Sequence, residues 1–547
     1  MQTRALPLIT LLAAGVTGLA TFSSVSAATD ETVDLERINE IRHEAFHRSQ
    51  VMDHAEYLTD VIGARLTGSP AMREANEWTR DQLEEWGLEY ARLESFDFGR
   101  GWSYDDVSLR MTEPRSEVLI GYPRAWTPGT DGEVSGAVKS VRLEDEDDLE
   151  AHAGELEGKV LLLDEPEAVE KDESPSFSRH DEQSLENLGD FPIPEEHDGP
   201  AWRERALERW AFREKRNAFL EEEGVLATLH VSSRDFGIVR VMGGAAHDVD
   251  AENGVPAVKL AREHYNLLHR LADGGHEPEI SLNVDARFHD EETDAWNTLA
   301  EIPGGQDGEE VVLTGAHLDS WHAGTGATDN AAGVAVVMEA VRILQELDVE
   351  PRRTIRVALW SGEEQGLLGS RAYVDRHVAT RPEPEEDEAE EEDDREIPER
   401  LQEDTWPIEP RDGHDTHVAY FNFDNGSGRI RGIYGQENAA LQPVFESWLE
   451  PFADLGAEAV TLRNTGATDH VPFDDVGIPG FQFIQDPLDY FARTHHSHLD
   501  TYDHLEREDL MQASAVLASF LYHAAMRDEP LPRKPMPTEP PETDEED

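Results

Sequence analysis

The segment VVLTGAHLDSWHAGTGATDNAAGVAVVMEAVRIL, residues 311–344, decides the fold of this chain. Its first four residues are apolar or β-branched and stop at Gly315, which predicts a short buried strand. Apolar side chains then recur with the period of a helix that packs on a sheet, at Val334, Val337, Met338, Val341 and Leu344. His317 and Asp319 therefore lie at the exit of a strand, and Asp329 lies at the entrance of the next helix.

Three further apolar runs predict strands, and acidic residues or histidines follow each of them. These are Thr354–Trp360 before Glu363 and Glu364, Val418–Phe423 before Asp424, and Phe481–Ile484 before the stretch from His495 to Asp500. Ligand sites in open parallel sheets lie beyond the carboxyl ends of the strands. The sequence therefore predicts an α/β fold in which these side chains meet at one edge of a sheet.

These side chains have the chemistry of a metal site. Imidazole and carboxylate together suit zinc or a similar divalent ion, whereas oxygen ligands alone would suggest calcium or magnesium. Five ligands are available, too many for one tetrahedral zinc that keeps a position open for substrate: His317, Asp329, Glu364, Asp424 and one of the later histidines. Two metals that share a bridging carboxylate fit this number.

Asp319 and Glu363 are left for other tasks. Asp319 can accept the second imidazole N–H of His317, and Glu363 can take a proton from water at the metals. Each fragment alone has an ordinary explanation, because acidic loops, glutamates on a solvated face and surface histidines are common in so acidic a chain. Their joint placement after predicted strands favours the metal site.

Five segments resemble those of the co-catalytic di-zinc exopeptidases. They are GAHLDSWHAGTGATDNAAGVA (315–335), WSGEEQGLLGS (360–370), NFD (422–424), TDHVPF (468–473) and HHSHLDT (495–501). This family includes bacterial secreted aminopeptidases, carboxypeptidase Q and glutamate carboxypeptidase, and the HLDSW and HHSH segments are most similar to the carboxypeptidase Q branch. The resemblance implies a mixed, mostly parallel sheet flanked by helices, the zinc exopeptidase fold, with an inserted β-rich protease-associated domain.

The resemblance also implies which residues hold the two Zn²⁺ ions. His317 and Asp424 would hold one ion, Glu364 and His496 would hold the other, and Asp329 would bridge them. The family places its last histidine four residues before the aspartate of its DT pair, which here is Asp500. His496 is therefore preferred over its neighbours, a choice that spacing alone would not make.

The same resemblance assigns the chemistry. Glu363 matches the general base, which would accept a proton from a metal-bridging water, and Asp319 matches the residue that supports a ligand. Asp469 and His470 match a loop near the substrate, and Arg493 could pair with a substrate carboxylate or lie on the surface. The expected function is hydrolysis of terminal peptide bonds of peptides or dipeptides, with the choice between amino and carboxyl ends left open.

The amino terminus predicts export. Arg4 precedes an apolar stretch over residues 5–21, and Val25-Ser26-Ala27 resembles a cleavage site, so residues 1–27 are expected to be the signal peptide of a secreted or periplasmic protein. A retained membrane anchor is the alternative. The chain has no cysteine, so disulfides cannot stabilise it and thiolate catalysis is excluded.

The charge balance excludes other partners. The chain has 117 Asp and Glu residues against 47 Lys and Arg residues, a net charge of −70. Such a surface repels nucleic acid and anionic membranes, which leaves peptide as the expected partner. Self-repulsion destabilises a compact protein at low ionic strength, and molar salt shortens the Debye length to about 3 Å. We therefore predict a halophilic protein whose melting temperature rises from low to molar salt; a flat response would contradict this prediction.

The length of 547 residues predicts more than one domain. The zinc peptidase domain is expected to consist of residues 28–115 and 286–527. Residues 116–285 contain several strand-like runs and are expected to form the inserted domain. An acidic insertion covers 381–404, and the Pro-rich, acidic tail over 528–547 is expected to be disordered. A homodimer is compatible with the resemblance.

Two other functions share these residues. One is a zinc hydrolase of non-peptide amides, such as N-acyl amino acids, which substrate profiling alone separates from a peptidase. The other is a non-catalytic binding protein on the same fold. Because every predicted ligand and the base are present, the second alternative is disfavoured.

Overall fold

The strand predicted at residue 311 lies at the centre of a sheet in the computed structural model, which describes residues 31–169, 175–191, 199–382 and 404–540. Within these ranges the sheet has eight strands, numbered here along the chain, in the order β1 (Glu89–Asp97), β10 (Asp294–Ile302), β12 (Thr354–Trp360), β11 (Val311–His317), β15 (His417–Asn422), β18 (Gly480–Gln485), β16 (Ile430–Tyr434) and β17 (Ala459–Thr461).

The four central strands β12, β11, β15 and β18 run parallel to one another. β1, β10 and β16 each pair antiparallel with a neighbour towards the edges of the sheet. The predicted mixed, mostly parallel sheet is therefore confirmed at its core. The four strands predicted to deliver ligands are adjacent, so their carboxyl ends lie side by side.

Helices cover both faces of this sheet because its strands alternate apolar side chains to opposite sides. One face packs against a core that includes residues of α1 (Leu35–His47), α2 (Val51–Glu56), α3 (Pro70–Glu85), α8 (Ala332–Glu346), α10 (Gln442–Leu449) and α12 (Arg507–Met526). The other face packs against α9 (Leu368–His377) and α11 (Val471–Asp474). Residues 332–344 of α8 are all buried, as the apolar stripe predicts.

A second sheet of eight strands contains most of the segment predicted to be an inserted domain. Among the described residues its order is β3 (Glu117–Val118), β2 (Gly101–Glu113), β9 (Glu279–His289), β5 (Val134–Ser140), β6 (Lys159–Leu162), β7 (Ala227–Val231), β8 (Ala257–Leu260) and β4 (Gly121–Pro123). The remaining described α-helices are α4 (Glu146–His152), α5 (Glu182–Gly189), α6 (Gly199–Glu222) and α7 (Arg262–Asp273), and the remaining described strands are β13 (Ala379–Thr380) and β14 (Glu409–Pro410), which form a two-stranded ribbon.

The boundaries of the second sheet differ from the expected 116–285. β2 begins at Gly101 and pairs with β9 from Gly101↔His289 to Glu113↔Glu279. This long antiparallel pair follows β1 and precedes β10 of the first sheet, so the second sheet includes residues on both sides of the predicted boundaries. Composition does not change where the pair begins, so it gives no signal for the start of β2.

An aromatic cluster joins the two sheets. Trp102, Trp126 and Trp321 are buried together with Phe96 and Phe98. The Trp102 Nε1 donates to the carbonyl of Thr127 at 2.8 Å, so burial of this indole leaves no unpaired polar atom. The cluster holds the second domain against the loop that follows β11.

Residues 528–540 of the tail, whose composition predicts disorder, lie within the described residues. Leu531 is buried, and the Nζ of Lys534 lies 2.8 Å from Asp474 Oδ2. An apolar contact and an ion pair thus connect this part of the tail to the rest of the fold. Residues 541–547, the signal peptide over 1–27 and positions 383–403 of the acidic insertion lie outside the described residues. Within the described ranges, no helix combines the length and apolar character that crossing a membrane requires.

Candidate metal centre

The predicted ligands meet at the carboxyl end of the parallel strands. β11 ends at His317, β12 leads into Glu363 and Glu364, and β15 leads into Asp424. Asp329 lies in the turn Ala327–Ala331 that precedes α8, and its own backbone is extended rather than helical (φ −134°, ψ 81°). Donor atoms of His317, Asp329 and Asp424 all lie within 4.8 Å of one another, as do those of Asp329, His495 and His496.

His317 is buried, and its two ring nitrogens have different neighbours. Nδ1 donates to the backbone carbonyl of Asp319 at 3.0 Å. A carbonyl oxygen can only accept, so Nδ1 carries a proton and Nε2 is the nitrogen whose lone pair a cation can use once it replaces the second proton. Nε2 lies 3.3 Å from Asp329 Oδ1 and 3.3 Å from Asp424 Oδ1. The backbone therefore fixes the tautomer in which Nε2 can bind a cation.

His496 forms the second half of the cluster. Its Nε2 lies 3.2 Å from Asp329 Oδ2 and 3.0 Å from Glu364 Oε2. The two oxygens of Asp329 thus face different histidines, which is the arrangement that a bridging carboxylate needs. His498 lies elsewhere: its Nδ1 accepts from the backbone N–H of Val239 at 3.1 Å, and its ring stacks on Tyr122.

Asp500 holds Asp329 in place. Its Oδ1 accepts from the backbone N–H of Thr328 at 2.7 Å, and its Oδ2 accepts from the N–H of Asp329 at 3.1 Å. Burial raises the pKa of Asp500 to about 7, with a further contribution from the charge of Asp329. Sequence reasoning used Asp500 only to place His496, yet the structure makes it the anchor of the bridging position.

Asp319 acts differently from the expectation. Its carboxylate Oδ1 lies 3.7 Å from His317 Nδ1, beyond hydrogen-bond distance. Its oxygens instead accept from the hydroxyl of Thr67 at 3.0 Å and from the backbone N–H groups of Glu363 and Glu364, each at 3.3 Å. Asp319 therefore orients His317 through its main chain and positions the two glutamates through its side chain.

The electrostatics of the cluster demand positive charge. Burial alone would lower the pKa of His496, but Glu364 and Asp329 raise it to about 10. Burial also opposes a charged His317, yet Asp424 and Glu363 hold its pKa well above the ordinary value. Burial raises the pKa of Glu364 to about 7. Protons on the histidines thus neutralise the carboxylates of the metal-free protein, a role that a cation can take over.

The donor set fits zinc. Tetrahedral ligands at 2.0–2.1 Å from zinc lie about 3.3 Å from one another, and the four contacts within the cluster span 3.0–3.3 Å. Glu364 Oε1 is buried and has no hydrogen-bond partner among the described residues, so this oxygen is also available to a cation. Imidazole nitrogens and carboxylates in this ratio are typical zinc ligands.

The remaining predicted residues divide into two groups. Asp469 is buried, its Oδ1 accepts from Ser370 Oγ at 2.6 Å, and burial raises its pKa to about 7. His470 Nε2 donates to the carbonyl of Thr465 at 2.9 Å. Arg493 is 45% exposed, and its guanidinium donates to Ser176 Oγ at 2.7 Å. Arg493 thus has a surface partner of its own, whereas Asp469 lies close enough to influence the pKa of Glu363.

Sequence reasoning missed three residues around the cluster. The guanidinium of Arg65 is fully buried beneath it, Arg240 Nη2 lies 3.1 Å from His496 Nδ1, and Trp321 packs edge-on against His496. Trp321 lies in the quoted HLDSW segment and could have been noticed there. Arg65 and Arg240 carry no local signal, because only folding brings them to the site.

Residues 297–521 match the sequence pattern of peptidase family M28. All of the ligands and glutamates described above lie within that span. Carboxypeptidase Q of Mus musculus is 28% identical over 477 residues, which cover 87% of this chain and 86% of that protein. Over these residues the chain is similar to the co-catalytic zinc exopeptidases of family M28. Together with the donor set, this similarity identifies the protein as a zinc-dependent exopeptidase.

Solved M28 structures share the fold. A peptidase M28 precursor from Shewanella amazonensis superposes with a TM-score of 0.63 at 25% identity, covering 92% of this chain and 99% of that one. A zinc aminopeptidase from Bacillus subtilis gives a TM-score of 0.53 at 17% identity, covering 88% and 95%. The second similarity concerns the fold alone. The predicted α/β architecture is therefore confirmed.

Zinc binding should release protons. Because the pKa of His496 is raised to about 10, its imidazole is protonated in the metal-free protein at neutral pH, and zinc must displace that proton. We expect the apparent zinc affinity to increase about tenfold per pH unit for each competing proton between about pH 6 and pH 8. Calorimetry in two buffers of different ionisation enthalpy measures this release. A pH-independent affinity without proton release would contradict the expectation.

Proposed function

We propose that this protein is a secreted di-zinc exopeptidase that removes residues from the carboxyl end of short peptides or cleaves dipeptides. One ion would be held by His317, Asp424 and one oxygen of Asp329. The other would be held by Glu364, His496 and the second oxygen of Asp329. The observation that carries the proposal is the division of the Asp329 oxygens, 3.3 Å from His317 and 3.2 Å from His496.

When bound, zinc supplies Lewis-acid activation of a water molecule and of the scissile carbonyl. Glu363 accepts a proton from the attacking water and returns it to the leaving amine. Burial, together with Asp424, Glu364 and Asp469, raises the pKa of the Glu363 carboxyl well above its ordinary value. A carboxylate with a raised pKa binds a proton more strongly, which suits a group that must take and return one.

Arg240 favours recognition of the carboxyl end. Its Nε is buried without a hydrogen-bond partner, and no described carboxylate lies within 4.0 Å of its guanidinium. Its Nη2 lies 3.1 Å from His496 Nδ1, and this contact is a hydrogen bond only when Nδ1 carries no proton. An imidazole that binds metal through Nε2 carries its proton on Nδ1, so Arg240 is then free to pair with a substrate carboxylate. The similarity to carboxypeptidase Q agrees with this direction.

The second domain and the amino terminus complete the proposal. The sheet that contains β2 and β9 takes the place of an inserted protease-associated domain, and its segment 239–242 contacts His496. Export follows from the predicted signal peptide. Asp469 and His470 would line the substrate cleft beside Glu363. The same proposal includes two zinc ions per chain, which metal analysis measures. It also includes a homodimer, which analytical sedimentation measures.

Substrate profiling tests the function. Free, amino-blocked and carboxyl-blocked di- and tripeptides are incubated with zinc-loaded protein in high salt, and products are identified by mass spectrometry. We expect cleavage that stops when the carboxylate is amidated and continues when the amine is acetylated. In Arg240→Gln the KM for free-carboxyl peptides should rise by about tenfold or more. The reverse blocking pattern would identify an aminopeptidase, and turnover of N-acyl amino acids alone would identify an amidase.

A further inference from the structure

A cavity separate from the metal cluster lies in the inserted domain, between α6, β7 and the loop after β4. It encloses about 300 Å³ of space, the open solvent at its mouth included, and is lined by twelve residues, among them Arg124, Arg216 and His230. None of these three is a residue of the metal cluster. The cavity therefore requires an explanation separate from the peptidase reaction.

The positive charges of this cavity lack carboxylate partners. Among the described residues, Arg216 has no hydrogen bond and no carboxylate within 4.0 Å, and its Nε is buried. Arg124 donates from Nη2 to the carbonyl of Gly243 at 2.7 Å, and its Nη1 lies 3.4 Å from His230 Nε2. Neither contact is with an anion. Two guanidinium groups thus line one cavity without a neutralising contact.

Asp164 is the nearby carboxylate, and its oxygens have other partners. Oδ1 lies 3.3 Å from His230 Nδ1, and Oδ2 accepts from the backbone N–H of Val231 at 2.8 Å. Burial lowers the pKa of Arg124 to about 10, and the charge of Arg216 adds to the shift. Asp164 raises the pKa of both guanidiniums through its charge, but burial outweighs it and the pKa of each is lowered. Their repulsion and desolvation are therefore only partly offset by the protein.

The charge of the chain makes this arrangement unusual. With 117 acidic residues against 47 basic ones, an arginine on the surface of this protein has many carboxylates available. Arg124 and Arg216 instead line the same cavity. A planar guanidinium binds the oxygens of a tetrahedral oxyanion through paired N–H groups, and such a ligand would satisfy both side chains at once.

We propose that this cavity is a binding site for a small inorganic oxyanion of the sulfate or phosphate type, held between Arg124 and Arg216 with His230 at its wall. The site lies next to the segment that supports a metal ligand. Arg124 binds the carbonyl of Gly243, the preceding Met242 places its Sδ 3.2 Å from His496 Nδ1, and the N–H of Val241 donates to the His496 carbonyl at 3.0 Å. The bound anion stabilises this segment.

The test is the thermal stability of zinc-loaded protein titrated with sulfate, at ionic strength held constant with gluconate. Sulfate is chosen because phosphate precipitates zinc. We expect the melting temperature to rise and saturate, and the half-saturating sulfate concentration to increase at least about tenfold in Arg216→Gln. Arg209→Gln changes the same helix by the same charge at an exposed position and should leave the titration unchanged.

Three results would overturn the proposal. They are an unsaturated response, equal responses of the wild type and Arg216→Gln, and saturation by chloride but not by sulfate, which would indicate a halide site. Arg216→Lys serves if Arg216→Gln does not fold, because it keeps the charge and removes the paired N–H groups. That variant should also weaken sulfate binding. Anomalous scattering from soaked selenate in a crystal should place the anion between the two arginines.

Discussion

The variant Glu363→Gln should bind zinc normally and lose nearly all turnover. Gln has the size of Glu but cannot accept a proton, and general bases of this kind contribute about 10²–10⁴-fold to rate. The backbone N–H of Glu363 keeps its contact with Asp319, so the loop should not move. We expect kcat to decrease by at least about 10²-fold while two zinc ions per chain remain, as measured by plasma mass spectrometry of the purified protein.

Glu364→Gln is the matched comparison for that experiment. Glu364 is the adjacent residue, but its Oε2 contacts His496 Nε2 at 3.0 Å. This variant should lose one zinc ion together with activity, which separates a ligand from a base. If Glu363→Gln keeps most of its activity, or loses metal as Glu364→Gln does, the base assignment is wrong.

The sequence contained much of this site because the ligands follow strands whose patterns are local. β11, β12, β15 and β18 are short apolar runs, and each run is followed by its ligand segment. Adjacent parallel strands then bring these segments together without further information. The apolar stripe from Val334 to Leu344 likewise predicted α8 and its buried face, and the apolar residues of α8 all lie in the core.

The features that sequence reasoning missed depend on distant contacts. The segment 239–242 belongs to the second domain, yet its backbone pairs with the residues around His496. Residues 165–198 are acidic and rich in Pro and Ser, a composition that predicts a loop. The structure describes residues 165–169 and 175–191 of this stretch. They contain α5, and Arg179 forms an ion pair with the buried Asp486 at 2.8 Å. No periodicity or composition signals such contacts, because each partner is an ordinary polar residue in its own sequence context.

Arg65 also depends on distant contacts, because it is buried and binds carbonyls of loops far from it in the sequence. Of the substitutions proposed for this chain, its removal should lower the free energy of unfolding most. The side chain is 0% exposed, and its guanidinium donates to five backbone carbonyls. These carbonyls belong to Leu318 (2.7 Å), Thr325 (2.7 Å), Gly326 (2.8 Å), Gly63 (3.0 Å) and Leu58 (3.3 Å). Burial lowers its pKa to about 10, so it remains a cation at neutral pH.

Arg65→Met should lower the free energy of unfolding of the metal-free protein by about 3–5 kcal/mol, because it leaves several buried carbonyls without donors. Denaturant unfolding in molar salt measures this loss. Arg65→Lys keeps the charge but offers fewer donors and should lie between the wild type and Arg65→Met. Arg115→Met, at a position that is 59% exposed, controls for loss of a positive charge and should change stability by less than about 0.5 kcal/mol.

The same substitution should weaken zinc binding, because the carbonyls that Arg65 holds lie on both sides of the cluster. Leu318 follows the ligand His317, while Thr325 and Gly326 precede the turn that carries Asp329. If Arg65 only filled space, zinc would stabilise the variant as much as the wild type. If it positions the two loops, the stabilisation gained from a fixed zinc concentration should decrease in Arg65→Met, since that gain depends on the dissociation constant of the folded state. An unchanged gain would contradict the positioning role and leave Arg65 as a purely structural residue.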